Sequence, residues 1–312
     1  MSPLTRAALL ATGSALLFTM ETVVVKAMEG VPLATIVLAR SLGQLAWTLP
    51  AFASDPAGVA TTRQLGLNLF RGLLSGVSWF MYFTAFALLP LATATVLSFT
   101  SVLFVTALAG PVLGERVRWR RWTATLVGFA GVVAILRPWD GGTVAFGWPV
   151  AAAIGSALLG AGIVLTTKML ARSERTTTIM FYIGLVTTAL ALPFALPGLG
   201  WPGWGNLGLL LLTGLCGPFA MHLWIEALRL ADASVVAPIS YVRLVFAAAL
   251  GVALFAEVPD GWLAFGAALI VGSALYITRR EAAVASRPAA HAAKPEAATA
   301  SSSGAGSKPK SW

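Results

Sequence analysis

Ten stretches of about twenty mostly apolar residues, near 7–27, 32–53, 66–89, 92–113, 119–137, 147–169, 177–197, 207–230, 233–255 and 259–278, take up most of the chain and leave only short connections. A helix needs about 20 residues, at about 1.5 Å each, to cross about 30 Å of hydrocarbon. Each stretch therefore fits one crossing. The stretches are continuously apolar rather than alternating, so they read as helices and not as strands of a barrel. With 58% hydrophobic and 11% charged residues and a mean hydropathy of +0.83, the chain reads as an all-α integral membrane protein with ten transmembrane helices.

The chain also repeats itself. The segment GSALL at Gly13–Leu17 returns at Gly155–Leu159, 142 positions later, and the same offset pairs Lys26 with Lys168, Thr35 with Thr177, Ala85 with Ala227, Ser98 with Ser240 and Glu115 with Glu257. Each copy holds five spans. An odd number forces the second copy to enter the bilayer upside down, the architecture of alternating-access transporters. The expected organisation is a first five-helix repeat at 1–140, a second, inverted one at 141–280, and a disordered cytoplasmic tail at 281–312, where Ala, Ser, Pro and Lys replace the apolar pattern.

A formal net charge of +9 invites a nucleic-acid reading, but the cations fall on one side. With both termini cytoplasmic, Arg6, Arg63, Arg116, Arg118, Arg120, Arg121, Lys168, Arg172, Arg175, Arg229, Arg279 and Arg280 flank the inner ends, while only Lys26 and Arg137 lie outside. That is a topology signal facing anionic lipid, so no nucleic acid is expected as a partner. A lone Cys216 gives neither a disulfide nor a metal cluster, and no metal or cofactor is expected. Gly198, Gly200 and Gly203 match a dinucleotide fingerprint in spacing alone, because no strand precedes them and Pro202 interrupts the run. Gly72 and Gly76 give a GxxxG spacing that suits close packing inside the bundle or a homodimer seam.

A charged side chain inside a span costs at least about 2.5 kcal/mol, so each one needs a partner or a watery cavity. Glu21 and Arg40 fall at matching depth, roughly 9–12 Å below the outer boundary, which suits either an ion pair or a substrate site. Arg243 lies near the midplane and its repeat equivalent is Ser101, so the duplicated scaffold does not demand it. It either binds an anion in a cavity or pairs with Glu21 or Glu226. His222 and Glu226 share a helix face, and His222 is the candidate for proton coupling. Arg71, Ser75, Ser78, Trp79, Tyr82, Phe83 and Phe86 form a polar and aromatic stripe suited to a planar or amphipathic ligand. Pro238 is expected to kink the ninth span beside Ser240 and Tyr241, with Ser98 as the counterpart of Ser240. Lys26 and Lys168 end the first helix of each repeat, as helix-terminus cations or as symmetry-related gates.

The stretches YFTAFALLPLATATVLSFTSVLFVTALAGPVLGERV and IEALRLADASVVAPISYVRLVFAAALGVALFAEV, with Gly114-Glu115 matched by Ala256-Glu257, resemble the ten-helix EamA-type members of the drug/metabolite transporter superfamily. The resemblance covers about residues 7–280 and reads closest to the bacterial riboflavin and S-adenosylmethionine uptake subgroup. It implies two inverted five-helix halves around a central cavity, and secondary transport of small metabolites across the bacterial inner membrane. Arg40 and Arg71 fall where such sequences tend to carry arginine, whereas Arg243 stands where they carry a small or uncharged residue. The excess of arginine over acid within the spans leans toward anionic or zwitterionic substrates such as amino acids, flavins or S-adenosylmethionine. Export of hydrophobic drugs or lipid-like molecules is the alternative. A membrane enzyme would need HExxH, GxSxG or a carboxylate cluster, and a channel would need filter loops or charge rings; the sequence has none of these.

Overall fold

A computed structural model describes residues 3–113, 119–136, 147–170, 173–230 and 242–285. All regular structure among the described residues is helical. The helices are α1 (Pro3–Ala27), α2 (Leu33–Ser54), the short α3 (Pro56–Ala60), α4 (Leu65–Leu88), α5 (Leu91–Ser98), α6 (Thr100–Leu113), α7 (Trp119–Leu136), α8 (Trp148–Leu170), α9 (Thr176–Ala195), α10 (Gly203–Leu230), α11 (Val242–Phe255) and α12 (Gly261–Ala285). Thr5–Ala27, Trp148–Thr167, Thr176–Gly198 and Gly203–Ala227 are each long and apolar enough to cross a membrane. In α2 and α4 the buried Arg40, Gln44, Asn68 and Arg71 dilute the apolar run. The expected kink at Pro238 lies outside the described residues, and α12 continues to Ala285, past the point where the tail was expected to begin.

One expected span is interrupted at a single residue, Phe99, whose backbone stays in the right-handed helical region. Where a single helix over 92–113 was expected, α5 ends at Ser98 and α6 begins at Thr100. The hydroxyls of Thr95, Ser98 and Thr100 donate to the carbonyls of Leu91, Thr95 and Leu97 at 2.7, 2.7 and 2.6 Å. Such back-bonding competes with the helix ladder and bends it.

The halves are interlocked and inverted. The repeat equivalents α2 and α9 pack on each other with their order reversed: Thr188 donates to Ser41 at 3.0 Å, the Gln44 amide to the Met180 carbonyl at 3.4 Å, and Arg175 pairs with Asp55 at 2.8 Å. The equivalents α7 and α12 likewise run antiparallel, with Gly128 against Ser273 and Gly131 against Gly266. Only a half turned over relative to the other gives antiparallel packing of equivalent helices. The remaining pairings recur with the halves exchanged. Gly13 of α1 lies under Leu223 of α10, and its equivalent Gly155 of α8 lies under Met81 of α4, the equivalent of Leu223. Ser14 donates to the Ala220 carbonyl at 2.7 Å, and Ser78, the equivalent of Ala220, donates to the carbonyl of Ser156, the equivalent of Ser14, at 3.3 Å.

Glycine sets the closest approach. Gly43 of α2 faces the backbone of Gly214 of α10, so that a Cβ at position 43 would fall on the Gly214 carbonyl oxygen. Pro218, inside α10, removes the N–H that would bond this carbonyl. Backbone, unlike a side-chain end, cannot swing aside. Gly43→Ala is therefore expected to lower stability by about 1–3 kcal/mol, read as a drop in melting temperature of the detergent-solubilised protein. Gly72 and Gly76 face Val186 and Leu190 of α9, so the GxxxG spacing is used for packing within this chain.

At the end of the bundle that holds the α2–α4 connection, the halves are clasped by polar groups. Glu174 accepts from the Thr62 hydroxyl at 2.6 Å and the Arg63 amide at 3.1 Å, and Tyr182 donates to the Ala60 carbonyl at 2.6 Å. The Gly58 amide, and then the Arg175 guanidinium, hold the Asp55 carboxyl below its ordinary value. Large apolar side chains such as Leu49, Leu88, Leu126, Phe194 and Leu211 are exposed around the bundle, the surface expected of helices whose solvent is lipid.

Candidate functional site

The polar residues of α1, α2 and α4 meet inside the bundle. Glu21 and Arg40 form an ion pair, Nε to Oε1, of 2.8 Å with side chains 0% and 1% exposed. Of the two uses the sequence allowed for this opposite-sign pair, an ion pair is present. The Arg40 guanidinium lies 3.3 Å above the Trp79 ring, a cation–π contact that steadies a buried cation. Gly217 of α10 completes the seat: a side chain there would strike the Glu21 carboxylate and come within 3.0 Å of Arg40 Nε.

Arg243 enters from the first turn of α11. Its guanidinium carbon stands 5.7, 5.5 and 5.7 Å from the ring centres of Phe18, Tyr82 and Phe86. It is close enough to Glu21 for their charges to interact, yet no ion pair forms. Arg243 Nε and Nη2, Arg40 Nη2, Glu21 Oε2 and the Tyr82 hydroxyl are all buried without a hydrogen-bond partner. Most buried polar atoms in folded proteins are satisfied, so such a concentration needs an explanation. These groups are connected through Trp79, which packs edge-on against Tyr82 at 5.4 Å. Together they offer guanidinium donors, one carboxylate acceptor and a phenol, walled by Phe18, Trp79, Tyr82 and Phe86. Two guanidinium charges face one carboxylate, and the surplus favours a ligand with an anionic group. The ion pair and the Trp79 ring lie between α1, α2 and α4.

Arg71, like Arg40, is a buried cation, bonded to Thr167 of α8 at 2.8 Å and to Ser75. Ser75 is thereby spent on Arg71, and Ser98 on its own helix. His222 packs 5.7 Å from Trp47 on the α2 side of α10, apart from the ion pair. Tyr241 and the side chain of Lys168 lie outside the described residues. Lys26, at the C-terminus of α1, pairs with Glu257 at 2.8 Å. Phe18, Gly217 and the partnership of Glu257 were missed in the sequence. Phe18 is three residues from Glu21 and so shares its face, the one signal that would have found it.

The sequence profile of the EamA-like transporter family matches residues 5–137 and again 147–279. The chain is 32% identical over 215 residues to the S-adenosylmethionine uptake transporter of Rickettsia prowazekii, covering 69% of this chain and 72% of that one. It is 35% identical over 224 residues to the riboflavin transporter of Vibrio cholerae, covering 70% and 74%. It is 31% identical over 265 residues to the pseudopaline exporter of Pseudomonas aeruginosa, covering 83% and 91%. In fold it is similar to a crystal structure of a protein with 23% identity, at a TM-score of 0.62 over 88% of this chain and 98% of that one. A duplicated helical unit, a polar cluster inside the helical bundle and these likenesses agree: the chain belongs to the EamA-like transporter family.

Proposed function

We propose that the protein is a secondary carrier of a small anionic or zwitterionic metabolite with a planar ring, working by alternating access across the bacterial inner membrane with both termini cytoplasmic. The observation that carries this reading is the set of buried, unpartnered polar atoms of Glu21, Arg40, Tyr82 and Arg243. A carboxylate or phosphate of the substrate bonds Arg243 and Arg40, a cationic group bonds Glu21 Oε2, and a ring packs among Trp79, Tyr82 and Phe86. S-adenosylmethionine combines a carboxylate, cationic groups and an adenine ring, and riboflavin offers a planar ring system, so both named substrates of the relatives suit such walls. Arg71 and Ser75 extend the polar path along α4, and Lys26 and Lys168 serve as gates at the two ends of the path. The proton is the coupling ion in this reading, with His222 as its carrier. Export is the second reading, favoured by the likeness to the pseudopaline exporter, which spans more of this chain than the others do.

The test is counterflow. Proteoliposomes loaded with unlabelled S-adenosylmethionine, riboflavin or single amino acids are diluted into labelled ligand. Transient, saturable accumulation of one class supports the carrier, because a channel cannot drive it. Linear uptake that never saturates would sink it.

A further inference from the structure

The geometry points to Lys26 and Glu257 as the tie that closes the face holding the C-terminus of α1, and that must break for this face to open; the inference rests on the alternating-access reading above. The contact joins the two halves at one point. Lys26 Nζ donates to Glu257 Oε1 at 2.8 Å and to the Leu89 carbonyl at 2.6 Å, while Glu257 Oε2 accepts from the Leu91 amide at 2.6 Å. Lys26, Leu89 and Leu91 belong to the first half and Glu257 to the second.

The carboxylate caps a helix of the other half. Helix α5 begins at Leu91 behind Pro90, and no side chain of its own caps it. Glu257 supplies the missing acceptor to an orphan N–H at the positive end of that helix. Its position is fixed from several directions. Gly251 carries no side chain where the carboxylate lies, since a Cβ there would come within 2.8 Å of Oε2. Ala256, with φ of 53°, turns the chain at the end of α11, and the Glu257 amide returns to the Gly251 carbonyl at 3.1 Å. A left-handed alanine persists only where its surroundings hold it.

Two properties separate this pair from an ordinary structural salt bridge. First, its side chains are 15% and 17% exposed, so water can take over each charge as the contact opens, which it cannot do for the sealed Glu21–Arg40 pair. Second, α11 carries Arg243 in its first turn and ends at Phe255, about 18 Å further along the helix, and Glu257 follows two residues on, beyond the turn at Ala256. A ligand that pulls on Arg243 therefore moves Glu257 relative to Leu91 and Lys26. Both members of the pair also occur in each copy of the duplicated unit, Lys26 as Lys168 and Glu257 as Glu115.

Thiol accessibility tests the tie without any substrate, so it can fail while the carrier reading stands, and the reverse. Thr93 of α5 lies beside Glu257 in the lining of one cavity of 230 Å³. In a Cys216→Ala background, Thr93→Cys is the only thiol and is reacted with a membrane-impermeant maleimide added to intact cells. Lys26→Met and Glu257→Gln are each expected to speed labelling about tenfold, and Lys26→Arg to leave it slow. Glu257→Gln keeps an acceptor for the Leu91 amide and loses only the charge, so it covers the case in which Lys26→Met fails to fold. Unchanged labelling in Glu257→Gln would overturn the proposal. A gain seen only with inside-out vesicles would uphold the tie and overturn the cytoplasmic placement of the termini.

Discussion

Arg40→Met is expected to lose most of the folded protein, because it leaves the Glu21 carboxylate sealed with no partner. Breaking a buried pair by removing one member costs about 3–5 kcal/mol, a large fraction of the roughly 5–15 kcal/mol that holds a domain together. Both side chains are almost completely buried and bonded to each other at 2.8 Å, so neither charge can be taken over by water. The double replacement Glu21→Leu with Arg40→Met removes both charges at once. A buried pair replaced by apolar groups of similar volume is often neutral or stabilising by about 1–4 kcal/mol. The double variant should therefore melt at or above the wild-type temperature and yet fail in transport, since it no longer presents Glu21 Oε2 or Arg40 Nη2. A double variant that folds and still transports would reduce the pair to a structural brace.

Arg243→Met should do the reverse. This guanidinium has two buried, unpartnered nitrogens and lies against three aromatic rings. Removing it deletes an unsatisfied cation and leaves an apolar side chain among apolar neighbours, so stability should hold or rise. Binding should collapse, because truncating one partner of a buried charge pair costs about 2–5 kcal/mol, or at least about 30-fold in Kd. The two arginines are thus separated by opposite stability signs with the same loss of transport. Melting temperature and ligand titration on the same samples read both. Loss of folded protein in Arg243→Met, with affinity retained in what remains, would make it a scaffold residue.

How far the sequence carried these features depends on whether the signal was local. The fixed 142-residue offset announced the inverted packing that Gly13 with Leu223 and Gly155 with Met81 display, because duplication copies contacts together with residues. The pairing of Glu21 with Arg40 was legible because the rise per residue sets them at matching heights along neighbouring helices. Which helices adjoin was not. Lys26 and Glu257 each stood out in the repeat, yet no periodicity links the end of α1 to the end of α11. His222 shares a helix face with Glu226 by spacing, but it packs toward Trp47, a matter of helix rotation that an apolar alphabet does not encode. The break between α5 and α6 escaped for a similar reason. The hydroxyls that take the carbonyls there leave the run apolar enough to read as one span. Gly217 looked like any glycine in a membrane helix until Glu21 was found resting on it.

The most direct test of a substrate site between Glu21, Arg40 and Arg243 is ligand-induced thermal stabilisation of the wild type and Arg243→Met, side by side, against amino acids, flavins, nucleosides, S-adenosylmethionine and organic anions. A ligand that binds only the folded state stabilises it by about 2.7 kcal/mol at one hundred times its dissociation constant. One chemical class with an anionic group should raise the melting temperature of the wild type and leave that of Arg243→Met unmoved. Equal stabilisation of both proteins by the same compound would place the ligand away from this cluster and contradict the site.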